Sequence, residues 1–142
     1  MNTNQQLRLL QADAQVLFYK LHNLHWNVTG LMFEPLHLKT ESLYNQFAVI
    51  FDDLAERQLQ LQNKPVITMR DALEISRIKE TTKDRFTGEE LLRTVVDDLE
   101  HFHKEFKNLS QASDNDTTTQ SYADDKVAWL EKELWILRAM LG

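Results

Sequence analysis

Four stretches of this chain place apolar residues at steps of three and four, the spacing that lines one side of an α-helix. Leu7, Leu10, Ala14, Leu17, Leu21, Leu24 and Val28 form the first stripe. Leu36, Leu43, Phe47, Ile50, Leu54 and Leu61 form the second; Pro35 suits its first turn and Pro65 lies just past its end. The third opens at Thr87 and Glu90, spaced as a capping box, and continues through Leu92, Val95, Leu99, Phe102, Phe106 and Leu109. Val127, Leu130, Leu134, Leu137 and Leu141 make the fourth. Only three glycines and two prolines serve 142 residues, which is too little turn chemistry for a many-stranded sheet. The expected fold class is all-α.

Connection lengths set the topology. Between the second and third helices lie about 20 residues, against roughly 2–8 in a tight bundle turn, and Thr68 to Ile75 within them reads as a short helix. The first helix is expected to end at Thr29-Gly30 with the glycine as C-cap. Ser113 to Ser121 is polar and reads as a loop, with the last helix starting near Asp116, Asp124 and Asp125. A long middle link between short ones predicts a ferritin-like four-helix bundle with one crossover. Residues 1–142 are of a length for a single domain.

Composition narrows the chemistry. There is no cysteine, so disulfides, thiolate catalysis and sulfur-bound metals are excluded. MNTNQQ lacks a basic-then-apolar leader and no apolar run approaches membrane-spanning length, so a cytoplasmic protein is expected. A formal charge of −6, with no charged residue before Arg8 and no basic tail, argues against DNA or anionic lipid as partners.

The second helix carries a polar stripe on the wrong side. With Leu43 at 0°, its core residues cluster near that direction, whereas His37, Glu41, Asp52 and Glu56 fall at roughly 120–220° at 100° per residue. Ala48, Ala55 and Leu59 share that side, as on a helix with another helix packed against its back. Asp52 and Glu56, one turn apart, repel unless a cation relieves them. His37 and Asp52 are roughly 22 Å apart along one helix at 1.5 Å per residue, too far for one ion to bridge. A two-fold axis crossing this helix would set Asp52 and Glu56 of one chain opposite His37 of its partner, twice per dimer. His25, near the edge of the first helix's core face, can complete the cluster.

LHNLHWNVTG, LHLKTESLY, FDDLAERQLQLQNKP and the C-terminal KELWILRAMLG together resemble the Dps family of mini-ferritins over nearly the whole chain. LQADAQVLFYKLHNLHWNV and YADD are most similar to its neutrophil-activating-protein branch. The resemblance implies a four-helix subunit with a short helix in its crossover, twelve of which enclose a hollow shell. It implies ferroxidase sites at the dimer interfaces, with His25 and His37 from one chain and Asp52 and Glu56 from the other. Glu41 is the family's further acidic ligand, and Trp26 matches an aromatic that passes an oxidising equivalent away from the metal. Two iron positions per site, oxidation of Fe(II) by hydrogen peroxide in preference to dioxygen, and storage of Fe(III) mineral are further implications. Imidazole with carboxylate oxygen suits ferrous iron and other divalent ions that can substitute for it; ligand spacing itself does not separate peroxide from dioxygen. Leu38 departs from the glutamate common in the family, and LQNKP lacks its paired glycines.

Other polar groups have plainer readings. Glu100 and His103 have the Glu-x-x-His spacing of in-bundle di-iron sites, but the only match, Glu34 to His37, straddles a helix start. They are read as surface residues, and His22 as a hydrogen-bonded helix residue supporting His25. Trp129 and Trp135 are read as packing residues near subunit contacts. Asp116, Asp124 and Asp125 are candidates for an acidic three-fold pore.

Overall fold

Asn2 starts the first helix by exchanging hydrogen bonds with Gln5: the Gln5 N–H donates to Asn2 Oδ1 at 2.9 Å, and the Asn2 N–H to Gln5 Oε1 at 3.1 Å. The computed structural model, which describes residues 1–142, then continues in five helices. These are α1 (Thr3–Asn27), α2 (Phe33–Gln60), α3 (Met69–Ile75), α4 (Gly88–Ala112) and α5 (Thr117–Leu141). The four long ones form a bundle, and α3 sits within the crossover between α2 and α4. Every residue of the α1 stripe is buried, as are Leu36, Leu43, Phe47, Ile50 and Leu54 of α2 and the whole α4 stripe. One apolar core takes side chains from all four long helices. None of the helices is long and apolar enough to cross a membrane.

The end of α1 differs from expectation. Helix geometry stops at Asn27 with Val28 as C-cap, short of Thr29-Gly30. The Thr29 N–H bonds the Phe86 carbonyl at 2.9 Å instead of turning back to α1, and the Phe86 N–H bonds the Asn27 carbonyl at 3.0 Å. This small parallel bridge ties the end of the crossover to the end of α1. Gly30 takes φ +106° in the following turn, a backbone region that glycine enters without steric cost.

The start of α5 is the second correction. The segment read as a loop over 113–121 is helical from Thr117. Asp116 caps it, accepting from the Thr119 N–H at 3.2 Å and the Thr119 hydroxyl at 2.6 Å, while Arg57 of α2 donates to the same carboxylate at 3.1 Å. Asp124 and Asp125 therefore lie two turns inside α5, not at its start.

Two buried polar residues of α1 hold the crossover on either side of α3. The Gln11 amide donates to the Val66 carbonyl at 2.8 Å and accepts from the Val66 N–H at 3.0 Å and from Gln58 Nε2 at 2.9 Å. The Asp13 carboxylate accepts from the Arg77 N–H at 2.6 Å, from Ser76 Oγ at 3.1 Å and from Arg77 Nε at 3.0 Å. His101 Nε2 of α4 lies 2.8 Å from Asp13 Oδ2, the oxygen that also accepts from Arg77 Nε. Thr87 and Glu90 form the expected capping box at the head of α4.

Candidate metal centre

The turn between α1 and α2 folds the last turn of one helix against the first turns of the next, bringing His25 and His37 together. The Thr29 N–H is spent on Phe86, so the His25 carbonyl lacks its helical donor, one of the orphan acceptors at any helix end. His37 Nδ1 fills that place at 2.9 Å, and His25 Nδ1 lies 2.7 Å from the His37 carbonyl in return. Carbonyl oxygens only accept, so both Nδ1 atoms carry hydrogen, and in the neutral ring the lone pair is left on Nε2. Neither Nε2 meets a partner within the chain, and that is the form in which imidazole binds a metal.

The two rings stack with centroids 3.6 Å apart and planes 14° from parallel. Phe33 stacks on the outer side of His37 at 5.0 Å, and Tyr44 meets His25 edge-on at 5.3 Å. His25 is only 6% exposed. Burial pushes its imidazole below the ordinary histidine range; the bond to His37 and the Glu41 charge oppose this, while the His37 and His22 charges add to it. Burial thus favours the neutral form of His25. Thr40 is fully buried beneath the pair, its hydroxyl 3.1 Å from His25 Nδ1.

The single chain does not gather the carboxylates. Glu41 is exposed one turn after His37, and Asp52 and Glu56 are exposed farther along α2. No three metal-ligating side chains converge within one chain. Leu38, Val49 and Leu59, each more than half exposed, lie on the same outward side of α2 as those carboxylates. Of the twelve large apolar side chains left exposed, α4 carries none and α5 only Trp135; the rest gather on α1, α2, α3 and the segments around them. Trp26, 54% exposed, stands beside His22 with ring centroids 5.6 Å apart.

The remaining candidates take ordinary places. His22 donates from Nδ1 to the Phe18 carbonyl at 2.8 Å and stacks on Tyr44 at 3.8 Å. Glu100 is exposed and paired with Arg138 at 2.7 Å, and His103 bonds Glu131 at 2.8 Å. Trp129 packs on Phe47, and Trp135 is 68% exposed. Asp124 accepts from Ser110 Oγ at 2.5 Å and Asp125 lies 3.5 Å from Lys126. Periodicity gave no sign of Thr40 or of the reciprocal histidine bonds. Their one trace in the sequence is a threonine three residues after a histidine, on a buried side of α2 where Gln58 is the only other polar residue.

Comparison with known proteins agrees with this architecture. Residues 4–142 match the ferritin-like domain family. The chain is 46% identical to the DNA protection during starvation protein of Helicobacter pylori, covering 100% of both chains. It is 41% identical to general stress protein 20U of Bacillus subtilis over 92% of this chain and 91% of that one. The crystal structure of Helicobacter cinaedi CAIP superposes with a TM-score of 0.97 at 43% identity, covering 99% of this chain and 100% of that one. A Dps structure from Bacillus brevis gives 0.94 at 37%, covering 99% and 95%. With its crossover helix and its match from end to end, the chain belongs to the Dps family of ferritin-like mini-ferritins.

Proposed function

We propose that this chain is the subunit of an iron-oxidising and iron-storing shell, with its ferroxidase sites shared between two chains. The observation that carries the reading is the locked histidine pair, with both Nε2 atoms without a partner in the chain, where α1 meets α2, while Asp52 and Glu56 lie too far along α2 to reach it. A second copy related by a two-fold axis brings Asp52 and Glu56 to the partner's histidine pair. The exposed apolar side chains around these residues supply the area such a contact buries. Within the family, the neutrophil-activating-protein branch is the proposed place, on the LQADAQVLFYKLHNLHWNV and YADD segments.

Fe(II) is the substrate, taken at two positions per site by His25, His37 and Glu41 with the facing Asp52 and Glu56; other divalent ions compete for them. Two ferrous ions give one electron each to hydrogen peroxide, whose O–O bond breaks; with two protons the products are two ferric ions and two waters. Supplying both electrons at one site avoids release of hydroxyl radical, and Trp26 beside the site carries away a stray oxidising equivalent. Ferric ions then pass into a dodecameric shell as mineral, limiting oxidative damage in the cytoplasm. Asp116, Asp124 and Asp125 are the proposed acidic groups of a three-fold pore. The net charge of −6 argues against DNA as a partner.

Ferrous iron with peroxide should give a rapid rise in ferric absorbance in wild-type protein, and His25→Ala/His37→Ala should lose most of that rate. An unchanged rate in the double variant would refute the site.

A further inference from the structure

Thr40 stands one turn beyond His37 on α2 with no exposed surface, facing the His25 ring across the contact between α1 and α2. A threonine inside a helix commonly turns its hydroxyl back to a carbonyl of the preceding turn. Here Oγ1 lies 2.8 Å from the Leu36 carbonyl and 3.0 Å from that of His37. The same oxygen is 3.1 Å from His25 Nδ1. The direction of this chain is fixed by a third atom. The His37 carbonyl, 2.7 Å from His25 Nδ1, can only accept, so Nδ1 carries the hydrogen and the threonine oxygen is a second acceptor for it. A ring held by one acceptor can swing about that line; two acceptors on different atoms fix its plane. A metal-ligating imidazole whose other nitrogen donates to an oriented acceptor is both aimed and made a stronger donor.

We propose that Thr40 is a positioning residue for the metal substrate, holding the His25 ring so that Nε2 stays directed out of the stacked pair and into the site. It touches neither the metal nor the oxidant, and acts through His25 alone. The proposal rests on the reading of His25 and His37 as ligands. Replacing the hydroxyl by a methyl group strands little else. The Leu36 carbonyl keeps its helical donor, and His25 Nδ1 keeps the His37 carbonyl. Fold and assembly are therefore expected to survive in Thr40→Val.

The test compares wild type, Thr40→Val, Thr40→Ser and His25→Ala as assembled full-length protein at neutral pH. Co(II) affinity is read by visible absorption. The Nδ1–H signals of His25 and His37 are read in the metal-free protein by solid-state NMR with labelled histidine. Thr40→Val should bind Co(II) about 10-fold more weakly than wild type and shift the His25 signal, leaving that of His37 in place. Thr40→Ser should match wild type in both. Wild-type affinity and an unmoved His25 signal in Thr40→Val would overturn the proposal, as would a serine variant as impaired as the valine one. Equal Co(II) binding by wild type and His25→Ala would overturn the ligand reading and the proposal with it. If Thr40→Val does not assemble, Thr40→Ala replaces it with the same expected and contrary results.

Discussion

His22 and His25 sit on neighbouring turns of α1 and both touch α2, yet only His25 hydrogen-bonds across to it. His22 spends Nδ1 on its own helix at Phe18, whereas His25 spends it on the His37 carbonyl of α2. The LHNLHW stretch alone makes them equivalent; the outward stripe of α2 is what separates them. Angles along one helix reveal that stripe, because 100° per residue is all it requires. The hydrogen bonds between the histidines were not legible, since they depend on how the α1–α2 turn sets two helix ends together. The same holds for Asp13, a lone acid in an apolar stretch whose partners lie 63 to 88 residues away. Burial works to raise the Asp13 carboxyl, but the His101 bond, the Arg77 N–H and the charges of Arg77 and His101 outweigh it and hold it below the usual 3.8. Its stabilising contribution is complete above that value and is lost as pH falls through the lower, folded-state value. Urea unfolding at pH about 5 and about 3 should show wild type losing more stability on acidification than Asp13→Asn. Equal losses would remove Asp13 from the acid response. At neutral pH, Asp13→Ala should cost about 3 kcal/mol, because the Arg77 N–H, Ser76 Oγ and His101 lose their buried acceptor and Arg77 keeps only Glu105.

Helix stripes were the most legible elements because burial repeats every turn; ends were the least. At α5 the run Thr117-Thr118-Thr119 has weak helix propensity and reads as loop. What overrides propensity is Asp116, which caps the helix while Arg57 of α2 holds its carboxylate from outside. That second contact is tertiary and invisible in a local window. At α1 the reverse happens: a glycine suited to a C-cap is bypassed because Thr29 pairs with Phe86 of the crossover. Asp116→Ala should destabilise the protein by about 1–2 kcal/mol in urea unfolding and increase amide exchange over the first turn of α5. No change in exchange there would show that the turn does not depend on this cap.

The crossover lays α3 against α1, pinned by Gln11 and Asp13. Exposed Leu38 stands next to His37, and exposed Leu59 lies near Asp52 and Glu56 farther along α2. On the proposed function, such a chain completes its metal centre by meeting its own copy, and the crossover anchors hold α3 in place against α1. The shell should appear directly as a mass about twelve times the 16.7 kDa chain. The central claim, a site divided between two chains, is tested most directly by co-expressing a His25→Ala/His37→Ala subunit with an Asp52→Ala/Glu56→Ala subunit. Each homogeneous shell should be inactive with ferrous iron and peroxide. In a mixed two-fold pair one of the two sites recovers every ligand, so random pairing should restore about one quarter of wild-type sites. Mixed shells that assemble and yet show no recovered ferric absorbance would contradict the account.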